Sequence, residues 1–312
     1  MNKITLMIAA NFILSAHVMP VAANDTLSQV RYGLESVDNI DIFYREAGNP
    51  KNPTLVLLHG FPSSSYQYRE LLSSLGDDFY LLAPDYPGYG HSEKPDSSEY
   101  RYTFNNVAQT MEKFLDQRKV DDYVLMIHDF GAPIGLRIAA KNPKDVAGFI
   151  VMNGNAYDEG LSDIIKGSLK SERSSDDEKK KVKGLMSLNG IKWQYTAGTR
   201  SPESLSPDSW TLDHAIMNQT GVTELNLDMI YDYKSNVELY PKWQQYLRST
   251  QPPMLIVWGK GDPIFTEAGA EAYKRDVENI DYNILDTGHF PLEEDSAVII
   301  EKIQRFMEER IN

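Results

Sequence analysis

Asp122–Gly135 reads Asp-Tyr-Val-Leu-Met-Ile-His-Asp-Phe-Gly-Ala-Pro-Ile-Gly. Its first part, Tyr123–Ile127, is an apolar run of strand length that ends abruptly. Gly131 follows two residues after Asp129, and Ala132–Ala140 then has helical character. The spacing predicts a strand, a sharp turn and a helix, with Asp129 at the apex. A carboxylate in that place attacks carbon and forms an alkyl ester, whereas a serine attacks an acyl group. The residue type at the apex therefore selects the substrate class. No Gly-x-Ser-x-Gly occurs in the chain, which argues against a serine esterase or lipase.

Working outward, five more apolar runs have strand length: Thr54–Leu58, Phe79–Ala83, Gly148–Met152, Met254–Val257 and Tyr282–Leu285. Helical stretches lie between them. Asn106–Gln117 places Val107, Met111, Phe114 and Leu115 on one face, and Val298–Met307 closes the chain in the same way. This alternation predicts an α/β fold with a mostly parallel sheet covered on both faces. It breaks between about Gly154 and Thr250, where the chain reads as helical and rich in aromatics. The expected organisation is a first core part at 24–153, an inserted helical lid at 154–249 and a second core part at 250–312. The charge run Ser171–Lys183 mixes lysines with Asp176, Asp177 and Glu178, as a solvated face does.

Of 312 residues, 45 are acidic and 31 basic, a net charge of −14 that disfavours nucleic acid and anionic membrane partners. The same charge makes an uncharged small-molecule substrate the expected partner, and apolar residues at 41% are enough for a sizeable core. Residues 1–23 carry Lys3, a short apolar run and the small residues Val21-Ala22-Ala23, the pattern of a cleaved export signal. The run falls short of the roughly 20 apolar residues of a membrane span. The predicted mature chain is exported and lacks stable membrane insertion. There is no cysteine, so no disulfide or thiol chemistry enters. No His-Glu-x-x-His spacing occurs either, and no metal site is expected.

Asp129 alone reads equally well as a turn or helix-cap aspartate. Its meaning comes from chain order. His59-Gly60-Phe61-Pro62 follows the first buried strand, where the Phe61 N–H, with that of Phe130, can face a developing oxyanion. Asp85–Ser92 follows the next strand and reads as a structural turn. Asp262 stands after the strand at 254–257, and His289 after the last strand. Nucleophile, acid, histidine is the order of the α/β-hydrolase triad, and the chain resembles that superfamily. His-Gly-Phe-Pro with His-Asp-Phe-Gly looks like its epoxide hydrolase branch, to which the haloalkane dehalogenases are related.

The resemblance implies that Asp129 attacks an electrophilic carbon, His289 activates water against the ester, and Asp262 orients His289, all without a cofactor. It also implies two ring-opening lid tyrosines. Tyr233, followed by Ser235 and Asn236, is closest to the pattern, with Tyr231 as competitor. Tyr195 is the best early partner, if 171–183 is an insertion. Dehalogenases resembling this chain place Trp after the nucleophile, where this chain has Phe130. One departure concerns Ile127, in a place where such turns hold a small residue; it suggests a more open turn.

Overall fold

The computed structural model describes residues 28–170 and 175–311; the expected leader at 1–23 lies outside the described residues. The six apolar runs become six strands: β3 Thr54–Leu58, β4 Tyr80–Pro84, β5 Tyr123–His128, β6 Val146–Met152, β7 Met254–Gly259 and β8 Ile280–Leu285. Two more precede them, β1 Arg31–Val37 and β2 Ile40–Ala47. These were not expected from the apolar runs, because β1 is polar and largely exposed. Their signal is the two-residue turn Asp38-Asn39, where φ is +52° and +65°. Both residue types tolerate that conformation, and a hairpin turn of this kind needs it.

The eight strands form one sheet in the order β1-β2-β4-β3-β5-β6-β7-β8. Only β2 runs against its neighbours; the β4-to-β8 part is parallel throughout. Successive residues of β3 point to opposite faces, so Leu55 and Leu57 enter one apolar cluster while Val56 and Leu58 enter the other. Both sets are buried, which is why such strands read as continuous apolar runs. Burying each such side chain stabilises the fold by about 1.5–3 kcal/mol.

Helices α1 Arg69–Leu75, α2 Phe104–Arg118 and α3 Gly131–Lys141 connect the first strands. Six more, α4 Asp163–Leu169, α5 Asp176–Met186, α6 Leu188–Thr196, α7 Pro207–Met217, α8 Val222–Asp232 and α9 Lys234–Thr250, lie between β6 and β7. Finally, α10 Glu267–Ala272 and α11 Leu292–Phe306 complete the described chain. Buried residues of α1 and α11 share one face of the sheet, and those of α2 and α3 the other. The β3–β4 connection runs one way and β5 pairs on the opposite side of β3. The carboxyl ends of β3 and β5 thus flank the point where strand order reverses, the place where open α/β sheets bind ligands. None of the described helices is long and apolar enough to cross a membrane.

Candidate active site

Asp129 leaves β5 with φ +48°, a conformation that an aspartate tolerates at a cost of order 1–3 kcal/mol. The turn is tight because Gly131 permits it: a Cβ there would meet the Leu58 carbonyl oxygen at 2.1 Å. The open turn suggested by Ile127 is not seen. Ile127 is buried against Gly135, where an added Cβ would lie 2.7 Å from its Cγ2. The glycine one turn into α3 leaves the room that Ile127 fills in place of a small residue.

Two N–H groups meet the Asp129 carboxylate. Phe61 N and Phe130 N each donate to Oδ1 at 2.6 Å. That oxygen is held, and Oδ2 is left to face His289, whose Nε2 is 3.7 Å away. This is too long for a direct hydrogen bond and leaves the Nε2 lone pair available to a water. His289 Nδ1 donates to Asp262 Oδ2 at 2.8 Å, which fixes the tautomer with Nε2 as base. Asp262 is itself anchored by Ile264 N on Oδ1 at 2.7 Å and by Asn153 Nδ2 on Oδ2 at 2.7 Å.

Burial pushes the Asp129 carboxyl up to about 6, although His289 and the two N–H donors oppose the rise. For His289, burial acts to lower the pKa; the charge and hydrogen bond of Asp262 outweigh it, and the imidazole sits above its ordinary value. The other two buried histidines are structural. Burial holds His59 down to about 4, and its Nε2 accepts from Tyr86 N at 3.3 Å. Burial likewise holds His128 well below its usual range.

His128 links the two halves of the site. Its Nε2 donates to the His289 carbonyl at 2.8 Å, and its Nδ1 faces Gln67 Nε2 at 3.3 Å. Gln67 Oε1 in turn accepts from Gly60 N at 3.2 Å, beside the Phe61 donor. A Cβ on Gly60 would come within 2.5 Å of Asp129 Cβ, so only glycine lets the two strand ends approach this closely. The Asp85–Ser92 loop is a structural turn: Asp85 accepts from Ser65 N and His91 N at 2.7 and 2.8 Å.

A cavity of about 60 Å³ lies over Asp129. Phe61, Phe130, Phe265, Ile165, Leu169 and Ile230 make it largely apolar. Tyr233 lines it, at the junction of α8 and α9. Tyr231 instead faces an outer groove, with Lys234 Nζ 3.8 Å from its ring centre. Tyr195 requires a correction. Its hydroxyl donates to Asp213 Oδ2 at 2.6 Å, and its ring stacks on Phe290 at 4.0 Å. The neighbour Gln194 lines the cavity in its place. One residue on a helix is a rotation of about 100°, and the aromatic of this pair turns to the core.

Two residues that position the site escaped the sequence reading, Gln67 and Asn153. Asn153 has φ +46°, and its Oδ1 accepts from Gly259 N at 3.0 Å. Its signal was an Asn-Gly pair directly after a buried strand. Asn153→Ala removes one of the donors that hold Asp262 in place. On the ester route that the sequence resemblance implies, the expected result, measured by separating the two half-reactions in stopped flow, is roughly 10-fold slower ester hydrolysis with alkylation little changed. Among the described residues no group of three or more His, Asp or Glu side chains is placed to hold a metal.

A sequence-family model for the alpha/beta hydrolase fold matches residues 53–296. With the triad order and the sheet topology, that match defines the class: the chain belongs to the α/β-hydrolase fold family. Among relatives, an uncharacterized hydrolase of Saccharomyces cerevisiae, YNR064C, is 40% identical over 271 residues, covering 85% of this chain and 93% of the yeast protein. A cis-3-alkyl-4-alkyloxetan-2-one decarboxylase of Shewanella oneidensis is 29% identical over 269 residues, covering 82% of each. Among solved structures, an epoxide hydrolase of Vigna radiata superposes with a TM-score of 0.72 at 21% identity, covering 90% of this chain and 98% of that one. Haloalkane dehalogenases stand among both the relatives and the structural neighbours.

Proposed function

We propose that this hydrolase opens a small uncharged epoxide to a vicinal diol through an ester on Asp129. The observation that carries the reading is the asymmetric carboxylate. Oδ1 is bound by two N–H groups, while Oδ2 faces the cavity side with an Asp262-oriented imidazole behind it. In the first half-reaction Oδ2 attacks a ring carbon and the C–O bond breaks toward oxygen, which takes a proton from Tyr233. In the second, His289 removes a proton from water as the water adds to the Asp129 carboxyl carbon. The Phe61 and Phe130 N–H groups then hold the charge on Oδ1. Collapse expels the diol oxygen, which is protonated by His289. The proton of the regenerated carboxyl returns to Tyr233.

A departing halide needs N–H donors beyond the two that hold Asp129 Oδ1, and no lining side chain supplies a free one. The Phe61 and Phe130 side chains carry no donor and their backbone N–H groups are taken by Asp129 Oδ1, no tryptophan is among the described lining residues, and the Gln194 amide hydrogens go to Leu185 O and Gly190 O. A volume of about 60 Å³ is well below the roughly 300–1,000 Å³ of sites for drug-sized ligands, which favours a compact substrate. A second reading, opening of a four-membered cyclic ester, is favoured by the Shewanella relative, whose name gives an oxetan-2-one as its substrate. Its leaving group is a carboxylate and needs no proton from Tyr233.

Turnover of matched C4 electrophiles tests the reading. Diol formation from the epoxide is expected to exceed both halide release from the bromide and opening of the β-lactone; the reverse order would overturn it. The pH profile follows from Asp129. Only the ionised carboxylate attacks, so kcat/KM for alkylation is expected to rise tenfold per pH unit below about 6 and level off above it. A flat profile from pH 4 to 8 would contradict the assignment. Export, read from residues 1–23 alone, remains part of this proposal.

A further inference from the structure

Tyr233 Oη lies 3.4 Å from Tyr240 Oη, and this pair alone does not say which hydroxyl donates. The next groups along the chain decide it. Tyr157 N–H meets Asn155 Oδ1 at 3.3 Å, and a backbone N–H can only donate, so that atom of the amide is the oxygen. Asn155 Nδ2 then serves the Tyr157 carbonyl at 2.8 Å and Tyr240 Oη at 3.1 Å, using both hydrogens. Tyr240 Oη therefore accepts from Asn155, and its own hydrogen is available to Tyr233 Oη. The Tyr233 hydrogen is left for the cavity that this side chain lines. The amide is pinned in place: a Cβ on Gly160 or Gly269 would sit 2.1 or 2.7 Å from Asn155 Oδ1.

We propose that Tyr240, polarised by Asn155, is a positioning residue that turns the Tyr233 hydrogen toward the leaving oxygen and stabilises the phenolate left behind. The inference rests on Tyr233 acting as the acid. As the ring C–O bond breaks, the Tyr233 proton moves to the substrate oxygen and negative charge grows on Tyr233 Oη. The Tyr240 proton stays on Tyr240 and its hydrogen bond strengthens. At 3.4 Å the contact is looser than the 2.5–3.0 Å of a well-formed O–H···O bond. A bond to a charged oxygen is shorter and roughly twice as strong, so the gain falls in the transition state rather than the resting enzyme. Reversing the amide would reverse the whole row: Tyr240 would donate to residue 155, Tyr233 to Tyr240, and the cavity would face an acceptor.

The test uses the full chain carrying His289→Gln, so that alkylation of Asp129 is read alone by intact mass. Two probes are compared: 1,2-epoxybutane, which departs as a basic alkoxide, and 1,1,1-trifluoro-2,3-epoxypropane, which departs as a weakly basic one. Tyr240→Phe is expected to slow the first by 10- to 100-fold and the second by less than 3-fold. Asn155→Asp keeps the Tyr240 hydroxyl but supplies an acceptor in place of a donor, and the same selective loss is expected. Equal losses on both probes would show a packing role only and overturn the wiring. Tyr233→Phe separates the two levels of the argument. If it alkylates at the parent rate, the acid assignment itself falls. If it is impaired while Tyr240→Phe and Asn155→Asp match the parent, only the present inference falls.

Discussion

With His289 replaced by glutamine, an epoxide substrate is expected to load the protein with one equivalent of covalent adduct on Asp129 and then stop. The two half-reactions use different groups. Alkylation needs the Asp129 carboxylate and an acid, whereas hydrolysis of the ester needs a base beside the carboxyl carbon. In the proposed scheme that base is His289 Nε2, which lies 3.7 Å from Asp129 Oδ2 and is held by Asp262. Its loss removes general-base catalysis, about 10²- to 10⁴-fold, from the second step alone. Removing the imidazole also takes away a group that lowers the Asp129 pKa, so the variant needs a higher pH to ionise its carboxyl. The experiment is therefore run at pH 8. Intact mass followed by peptide mapping is expected to place the added mass on the Asp129 peptide. Wild-type-like turnover, or an adduct elsewhere, would contradict the scheme.

Asp129→Asn is expected to abolish turnover, by about 10⁴-fold or more, while leaving the fold more stable at neutral pH. The loss of activity follows because an amide is not a nucleophile toward carbon. The gain in stability follows from linkage. The folded-state pKa of about 6 lies above the ordinary value of 3.8, so folding favours the protonated form. Stability from this group is fully present below about 3.8 and declines as pH rises through about 6. Asparagine mimics the protonated state at every pH. Its Oδ1 still accepts from Phe61 N and Phe130 N, so the turn has no reason to collapse. Two pH units correspond to about 3 kcal/mol. Urea titrations at pH 8 and pH 4 are expected to show that advantage at the higher pH and little at the lower. A destabilised asparagine variant at pH 8 would mean that the ionised carboxylate holds the site together.

β3, β5 and β7 were legible because each is buried on both faces and reads as an unbroken apolar run, whereas β8, half-buried and interrupted by Asp281 and Asn283, shows only as Tyr282–Leu285. Asp129, Asp262 and His289 were legible from their places after those strands and from their order. The backbone donors at 61 and 130 follow from the same turns. The hairpin at Arg31–Ala47 was less visible because an edge strand meets solvent and carries no apolar run. Tyr195 marks a different limit. Periodicity can assign a residue to a helix, but choosing between adjacent positions requires the packing partner, and here Phe290 and Asp213 claim the tyrosine while Gln194 turns to the cavity. Gln67, Asn153 and Asn155 each also hydrogen-bond a residue more than 60 positions away, His128, Asp262 and Tyr240 respectively, and no local pattern encodes such partners, although the Asn-Gly pair marks the turn at Asn153.

Oxygen-18 labelling in a single turnover tests the ester on Asp129 most directly. Enzyme in excess over epoxide, in labelled water, is expected to retain one labelled oxygen in the Asp129 carboxylate and to release diol without label. Label in the diol, with an unlabelled Asp129 peptide, would show that water attacks the substrate itself and would contradict the covalent route.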